Sequence, residues 1–305
     1  MAWDFDAEPR RPVPGGAQMS LESVAEAVEK AQGLAPCAHA RTPAPAAAAP
    51  AALGETDADC FAVAMPNLVR HFPRLERVSP SLRNALLVLT ALTPPHALED
   101  DLEEEPSEGG SGRRRLTVVL DLDETLVHCR LERLDTPRYD LAVNFEEVQS
   151  PGYVYVRPFA QLFLAAAAEL FEVVVFTASA ASYADQVLDF LDPQGKFISR
   201  RMYRQDCTEH GGAFLKDLRV LGRPLSRIVL VDNSPASLAL CPDNGVIVRA
   251  WTADTASDRE LFDLLLLLRQ CAESPSVPAF LRERYGVSAF VRELQERLAM
   301  SALVS

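Results

Sequence analysis

Residues 116–125 have the sequence LTVVLDLDET, in which an apolar run rich in β-branched side chains ends in Asp121, Asp123 and Thr125. A short apolar run of this composition predicts a strand buried on both faces of a sheet. Ligands of open α/β sheets bind just beyond the carboxyl ends of the strands. Because successive strand residues alternate between faces, residues two apart point the same way. The stretch therefore predicts a strand with two carboxylates at a possible reaction centre.

Two more apolar runs end in polar side chains further along the chain. The run EVVVF is followed by Thr177, and the run RIVLV is followed by Asp232 and Asn233. Between them, the segment FLKDL contains Lys216. Four polar positions thus follow strands or strand-like segments in a fixed order, which predicts an α/β protein with a functional edge to its sheet.

The D-x-D-x-T motif and the order of the later motifs resemble the haloacid dehalogenase superfamily of phosphatases and phosphotransferases. The words FTAS, KDL and VDNSPAS resemble its branch of small phosphatases that act on the C-terminal domain of RNA polymerase II. The resemblance extends over residues 113–272, and implies one phosphatase domain there. It implies a Rossmann-like, doubly wound parallel sheet, the haloacid dehalogenase fold, with a small β insert and no large cap domain.

Other interpretations of the aspartate pair are less well supported. An EF-hand loop needs glycine at its sixth position and glutamate at its twelfth, and this chain has Leu126 and Glu132 there. A solvated acidic turn is the remaining alternative. The spacing of Asp121 and Asp123 alone does not choose between that turn and a reaction centre.

The resemblance assigns a chemical step to each of the two acids. It implies that Asp121 is the nucleophile, which divides hydrolysis into two steps through an aspartyl-phosphate intermediate. It implies that Asp123 protonates the leaving alkoxide and then accepts a proton from the attacking water. Spacing alone leaves open which aspartate has which role.

Two acids facing a phosphate dianion require a cation, and the resemblance implies Mg²⁺. Its ligands would be the Asp121 carboxylate, the Asp123 backbone carbonyl and the Asn233 side chain, with Asp232 in a second shell or bound through water. Mg²⁺ prefers such oxygen ligands. The Asp-Asn-Ser-Pro segment is also ordinary turn chemistry, which is the alternative interpretation.

Three side chains are predicted to bind the phosphate, namely Thr125, Thr177 and Lys216. The chain has only three lysines among its 30 basic residues, so a lysine at a motif position is unlike its default surface cation. A compact ammonium suits a point contact with phosphate oxygens. The Thr177 hydroxyl suits the same oxygens.

Two further interpretations concern neighbouring residues. Thr177 alternatively caps a helix over 179–191. Arg204 is a weaker candidate for contact with the phosphate or an acidic peptide flank. The alternative for Arg204, a solvated charge in a run of arginines, is preferred to that role. Pro158 is interpreted as the first residue of a helix over 159–170.

The spacing of the motifs bears on the size of the substrate. Only 56 positions separate Asp121 from Thr177, and an extended pair, a helix and a strand fill them. Residues 192–215 have room only for a short β-rich insert. A site without a cap is open, which suits a phosphorylated protein segment. The prediction is a phosphoserine or phosphothreonine phosphatase, with RNA polymerase II or another regulatory phosphoprotein as its substrate.

Two other function classes stay open at this point. One is a phosphopeptide-binding scaffold of the same fold with weak or no catalysis. The other is a phosphatase of small metabolites, against which the missing cap argues.

The flanking regions differ from the central one. Residues 1–112 hold 13 of the 22 prolines and a formal charge of −9, so they are predicted to be largely disordered, with short helices at 21–31 and 80–92. Residues 108–112 have the composition of a flexible linker. Residues 273–305 are predicted to form a helical extension that packs on the domain or on a partner.

The formal net charge of −13 argues against direct nucleic-acid binding, because phosphate backbones need a basic footprint. The start of the chain lacks the pattern of a secretory signal, and no apolar stretch is long enough to span a bilayer. Six cysteines lack zinc-like spacing. The expectation is an intracellular protein of nucleus or cytoplasm, a monomer without a transmembrane segment.

Overall fold

The structure is a computed structural model that describes residues 87–94, 115–135, 138–145, 150–210 and 213–304. Of the predicted helix at 80–92, residues 87–92 are described and are helical; the rest of the region predicted to be largely disordered, with the linker and the helix at 21–31, lies outside the described residues. The strands are β1 Thr117–Leu120, β2 Val127–Arg130, β3 Leu141–Val143, β4 Gly152–Val156, β5 Glu172–Phe176, β6 Arg200–Met202, β7 Thr208–His210, β8 Ala213–Leu215, β9 Ile228–Asp232 and β10 Gly245–Ile247. The helices are α1 87–92, α2 Ala160–Leu170, α3 Ala181–Leu191, α4 Glu260–Glu273, α5 Val277–Tyr285 and α6 Val287–Val304.

The main sheet has five parallel strands in the order β10-β9-β1-β5-β6. At its centre, Val118 of β1 pairs with Val173 of β5 on one side and Val229 of β9 on the other. The predicted fold class, a doubly wound parallel α/β sheet, is confirmed. The order also shows that the chain adds strands first on one side of β1 and then on the other, which creates a crevice at the carboxyl ends.

Both faces of the main sheet are covered, which explains the apolar runs of its central strands β1, β5 and β9. Alternate residues of β1 point to opposite faces. Val118 and Leu120 belong to a core shared with α2 to α5, whereas Val119 belongs to a second core on the other face. The middle of a strand buried on both sides favours apolar side chains, and Asp121 follows directly where β1 ends.

Two small antiparallel sheets make up the inserts. Strands β2, β4 and β3 form one between β1 and α2, and β7 with β8 forms a hairpin before β9. The described parts of these connections contain no helical cap, in agreement with the predicted small β insert. The sequence did not predict β2, because its four residues VHCR alternate apolar and polar side chains only over the shortest length that indicates a strand.

The second core is closed by elements that lie beyond the resemblance. Leu89 of α1 and Phe290 and Leu294 of α6 are buried in it. The Gln295 side-chain amide donates to the carbonyl oxygens of Thr90 and Thr93 at 2.8 Å and 2.9 Å. The C-terminal helices therefore pack on the domain itself. Helix α6 also contacts α1, which precedes the domain in the chain.

Replacing Phe290 with alanine is expected to destabilise the whole domain. The side chain is 2% exposed, and truncating a buried phenylalanine costs about 3–5 kcal/mol in lost burial and cavity formation. Met300→Ala, on the same helix and 69% exposed, is the matched control and is expected to change the unfolding free energy by less than about 0.5 kcal/mol. Urea unfolding measures both. Equal effects would mean that α6 contributes no core packing.

Two helix starts differ from the prediction. Phe159 occupies the N-cap of α2 with a left-handed φ of 68°, so Pro158 precedes the cap and is not the first helical residue. Helix α3 begins at Ala181 after Ala180, whose side chain makes no capping hydrogen bond. Thr177 therefore does not cap α3. None of the described helices combines the length and apolar composition needed to cross a bilayer.

Candidate active site

The predicted site residues lie at the carboxyl edge of the main sheet. Asp121 follows β1, Thr177 follows β5, and Asp232 is the last residue of β9. The Asp121 N–H donates to the Val231 carbonyl at 2.9 Å, so the ladder continues one residue past the strand. Because parallel strands end at a common edge, positions far apart in sequence become neighbours there.

Lys216 connects two of the acids. Its Nζ lies 2.6 Å from Oδ1 of Asp121 and 2.6 Å from Oδ2 of Asp232. The lysine is 1% exposed, and both acids are buried. The β7–β8 hairpin delivers it, because β8 ends at Leu215 and Lys216 follows directly. An ammonium group buried between two carboxylates supplies the charge that either of them needs to remain in the interior.

Burial shifts the acidities of this cluster. Burial raises the pKa of the Asp121 carboxyl to about 7, opposed by Lys216 and reinforced by Asp232. Burial alone would lower the pKa of Lys216, but the two carboxylates outweigh it and raise that pKa. The lysine therefore stays charged. Further positive charge beside Asp121 would lower its pKa and favour the ionised carboxylate, which is the form that acts as a nucleophile.

Asn233 faces the loop 121–125, and the orientation of its side-chain amide decides which atom meets that loop. With its nitrogen toward the loop, the amide donates to the Asp123 carbonyl at 3.3 Å and to Oδ2 of Asp121 at 3.2 Å. With its oxygen there, three oxygen atoms face one another, and the Thr125 hydroxyl, 3.5 Å away, is the donor that reaches the amide oxygen. Such a group of oxygens is stable around a cation.

The oxygen atoms fit the predicted Mg²⁺. They come from one carboxylate, one backbone carbonyl and one amide, which are hard ligands of the kind that Mg²⁺ binds together with water and substrate phosphate. Among the described residues no cluster of three or more His, Cys, Asp or Glu side chains suits a metal. A magnesium site here thus depends on Asn233 and a carbonyl as well as Asp121. Asp232 contacts Lys216 and accepts from the Ser234 N–H, as suits a supporting position.

The loop 121–125 is strained and is held from several sides. Glu124 has a left-handed φ of 58°, an uncommon conformation for a residue with a side chain. Its carbonyl accepts from the Trp251 N–H at 2.9 Å, and its carboxylate lies 3.1 Å from Nδ1 of His128. These contacts fix a turn that presents the Asp123 carbonyl and carboxylate in defined directions.

A buried ion pair supports the same loop. Arg157 donates to the Thr125 carbonyl at 3.1 Å and forms two hydrogen bonds of 2.9 Å with Asp258. Sequence analysis missed both residues, because no local pattern links positions 101 apart. The arrangement ties the loop to the start of α4.

Two of the predicted phosphate-binding hydroxyls have partners within the protein. Thr177 is buried, and its Oγ1 accepts from the Ser179 N–H at 3.0 Å, which folds the turn after β5. The Thr125 hydroxyl reaches Asn233. The structure therefore places Thr125 beside the amide of Asn233, a predicted metal ligand, and the contacts of Thr125 and Thr177 with phosphate stay predictions.

Arg204 is held beside this turn. Its Nε donates to the Ala178 carbonyl at 2.7 Å, and its guanidinium carbon lies 5.2 Å from the centre of the Phe214 ring. Arg204 is exposed, so the interpretation as a solvated charge and the one as a phosphate contact both stay open. The hydrogen bond to Ala178 places the Arg204 guanidinium beside the residue that follows Thr177.

The Asp123 carboxylate is bound by two hydroxyls that sequence analysis did not identify. Ser179 Oγ donates to Oδ2 at 2.7 Å, and the Tyr183 hydroxyl donates to Oδ1 at 2.6 Å. Burial raises the pKa of the Tyr183 phenol, so it remains a neutral donor. The signal available in the sequence is weak, since both residues belong to a segment almost 60 positions away.

Neither nearby cysteine is prepared for nucleophilic attack. Burial raises the pKa of Cys129 to about 11 and that of Cys207 to about 11. Both thiols are therefore protonated at neutral pH, and the thiolate is the reactive form. The chemistry of this edge rests on carboxylates.

The sequence model of the family described as "NLI interacting factor-like phosphatase" matches residues 116–278, more than half of the chain. This range contains each of the residues predicted to bind phosphate or metal. It ends within α5, before α6 begins.

Curated relatives match the same region. The chain is 49% identical over 152 residues to a Dictyostelium discoideum protein named "Probable C-terminal domain small phosphatase", covering 50% of this chain and 49% of the relative. It is 44% identical over 169 residues to the Homo sapiens protein "Carboxy-terminal domain RNA polymerase II polypeptide A small phosphatase 1", covering 55% and 64%. In both cases the match spans less than two-thirds of the relative.

Among solved structures, the chain is similar to fission yeast RNA polymerase II CTD phosphatase Fcp1. The TM-score is 0.39 and the identity 22%, over 61% of this chain and 56% of that chain.

Proposed function

Since this chain belongs to the NLI interacting factor-like phosphatase family, we propose that it is a Mg²⁺-dependent phosphoprotein phosphatase acting on phosphoserine or phosphothreonine. The observation that supports this most is the meeting of Asp121, Lys216 and Asn233 at one edge of the sheet. A buried nucleophile, a fixed cation and a set of oxygen ligands are the parts that phosphoryl transfer requires.

In the first step, an oxygen of Asp121 attacks phosphorus and the bond from phosphorus to the serine or threonine oxygen breaks. Asp123 gives its proton to the departing alkoxide, which leaves as a hydroxyl. The product is an aspartyl phosphate on Asp121. Lys216 stays in contact with Asp121 and opposes the negative charge gathered there.

In the second step, water attacks the aspartyl phosphate and gives its proton to Asp123. Inorganic phosphate leaves, and both aspartates return to their starting states. Asp121, the Asp123 carbonyl and Asn233 would hold a bound Mg²⁺. The ion would supply positive charge to the transferring phosphoryl group. The Asn233 side chain lies 3.2 Å from Oδ2 of Asp121 and 3.3 Å from the Asp123 carbonyl oxygen.

The proposed substrate is an exposed phosphorylated segment of another protein. Small β inserts in place of a helical cap leave the carboxyl edge approachable by a chain. The Thr177 turn and the anchored Arg204 head group lie at the same edge and would contact the phosphate. The relatives' names motivate the C-terminal domain of RNA polymerase II as the first substrate to test. The intracellular location and the monomeric state stay predictions.

The test is hydrolysis of phosphopeptides by the full chain, with and without Mg²⁺. We expect phosphate release from phosphoserine and phosphothreonine peptides in Mg²⁺ and its loss in EDTA, restored by added Mg²⁺. A panel of phosphorylated metabolites and phosphotyrosine peptides is assayed in parallel. Faster turnover of a metabolite would favour the small-metabolite class, and phosphopeptide affinity without turnover would favour a scaffold.

A further inference from the structure

Asp123, the general acid of the proposed reaction, accepts two hydrogen bonds that the reaction itself does not require. Each oxygen of Asp123 accepts one short hydrogen bond, Oδ2 from Ser179 and Oδ1 from Tyr183. The donors come from two different places, the turn after β5 and the first turn of α3. A carboxylate held at both oxygens has lost the freedom to rotate about its own axis.

Tyr183 is itself rigidly placed. Its ring stacks on Phe145 at a centroid distance of 5.5 Å and an interplanar angle of 20°, and the residue is 7% exposed in the core beneath α3. The position of its hydroxyl is therefore fixed by packing that exists without Asp123. The backbone of Ser179 is held by hydrogen bonds on both sides, because its carbonyl accepts from the Arg204 N–H at 3.0 Å and its N–H donates to Thr177 Oγ1 at 3.0 Å.

We propose that Tyr183, assisted by Ser179, is a positioning residue that orients the Asp123 carboxyl toward the leaving group of the substrate. The inference rests on the proposed phosphatase function. Neither hydroxyl takes part in bond making or breaking. Proton transfer in the transition state depends on geometry at the level of tenths of an ångström, so a donor that rotates freely transfers its proton less efficiently.

This role predicts an effect that depends on the leaving group. A serine alkoxide is a poor leaving group and needs the proton of Asp123, whereas p-nitrophenolate is a stable anion and leaves without it. General acid catalysis contributes on the order of 10²–10⁴ in rate. A misoriented acid should therefore lose a part of that factor on a phosphoserine peptide and almost none on p-nitrophenyl phosphate.

The experiment compares kcat/KM for the two substrates in Tyr183→Phe. This quantity reports the steps up to formation of the aspartyl phosphate, so the common second step does not obscure it. We expect kcat/KM to fall about 10–30-fold on the peptide and less than about 3-fold on p-nitrophenyl phosphate. Phenylalanine keeps the stacking on Phe145, and circular dichroism checks that the variant is folded. Asp123→Asn should show the same selectivity with a larger loss.

Tyr203→Phe is the matched control. Its hydroxyl also donates to a carboxylate, that of Asp185, at 2.7 Å, but neither residue belongs to the proposed machinery. We expect it to change both substrates by less than about 2-fold. Ser179→Ala should repeat the selectivity of Tyr183→Phe to a smaller extent.

The outcomes separate the inference from the function on which it rests. An equal loss on both substrates in Tyr183→Phe, or no loss on the peptide, overturns the positioning role while the phosphatase remains. If the unaltered chain hydrolyses neither substrate in Mg²⁺, the proposed function is wrong and the inference falls with it.

Discussion

Asp121→Asn is expected to abolish hydrolysis of phosphopeptides, with a loss of at least about 10³-fold, or about 4 kcal/mol of transition-state stabilisation. The amide has the shape of the carboxylate but cannot attack phosphorus to form an acyl phosphate. The measurement is steady-state turnover, together with trapping of the phosphorylated enzyme by acid quench. No hydroxylamine-labile phosphate should remain on the variant.

The substitution should leave the fold intact. Burial already disfavours the charge on Asp121, as its raised pKa shows, and Lys216 keeps its second partner, Asp232, at 2.6 Å. We therefore expect the unfolding free energy to change by no more than about 1 kcal/mol. Asp189→Asn makes the same chemical change on a side chain that is 70% exposed, and should leave turnover unchanged. Substantial residual activity in Asp121→Asn would show that another group is the nucleophile.

The part of this architecture that sequence predicts is the part encoded locally. The run ending in Asp121 is apolar because β1 is buried on both faces, and its polar end marks the edge of the sheet. The same holds for the runs before Thr177 and Asp232. Because parallel strands end together, three local signals suffice to place these residues in one crevice.

The supports of the site could not be predicted, since each joins segments that are distant in sequence. The ion pair of Arg157 with Asp258 joins residues 101 positions apart. The hydrogen bonds that Asp123 accepts from Ser179 and Tyr183 join residues 56 and 60 positions apart. A lone arginine or tyrosine carries no pattern that identifies such a partner. The predicted start of α2 was wrong for another reason. Phe159 adopts a left-handed φ, which the preceding Arg-Pro sequence does not indicate.

The second large effect is expected at Lys216, where both stability and activity should fall. Lys216→Met removes the ammonium that lies 2.6 Å from each of two buried carboxylates. Removing one partner of a buried ion pair costs about 3–5 kcal/mol, because it leaves uncompensated charge in the interior. Turnover should fall by on the order of 100-fold or more, since the phosphoryl group loses a fixed positive charge.

The loss of stability should depend on pH in a defined direction. Without the lysine, the pKa of Asp121, already about 7, rises further above the value of about 4 in the unfolded chain. The folded variant then binds more protons than the unfolded one from about pH 4 up to its own raised pKa above 7, so its stability falls as pH rises and keeps falling above pH 7, where the unaltered chain levels off. Urea unfolding in EDTA at a series of pH values measures this slope.

Two further variants make the test of Lys216 decisive. Lys196→Met changes an exposed lysine and should alter neither stability nor activity. The double variant Lys216→Met with Asp232→Asn removes one of the stranded carboxylates, and should recover part of the unfolding free energy without recovering turnover. Recovery of the unfolding free energy without recovery of turnover would show that the lysine has two distinct contributions, one to the fold and one to the reaction. If Lys216→Met unfolds like the unaltered chain above pH 7, the buried ion pair is not what holds the acids at this edge.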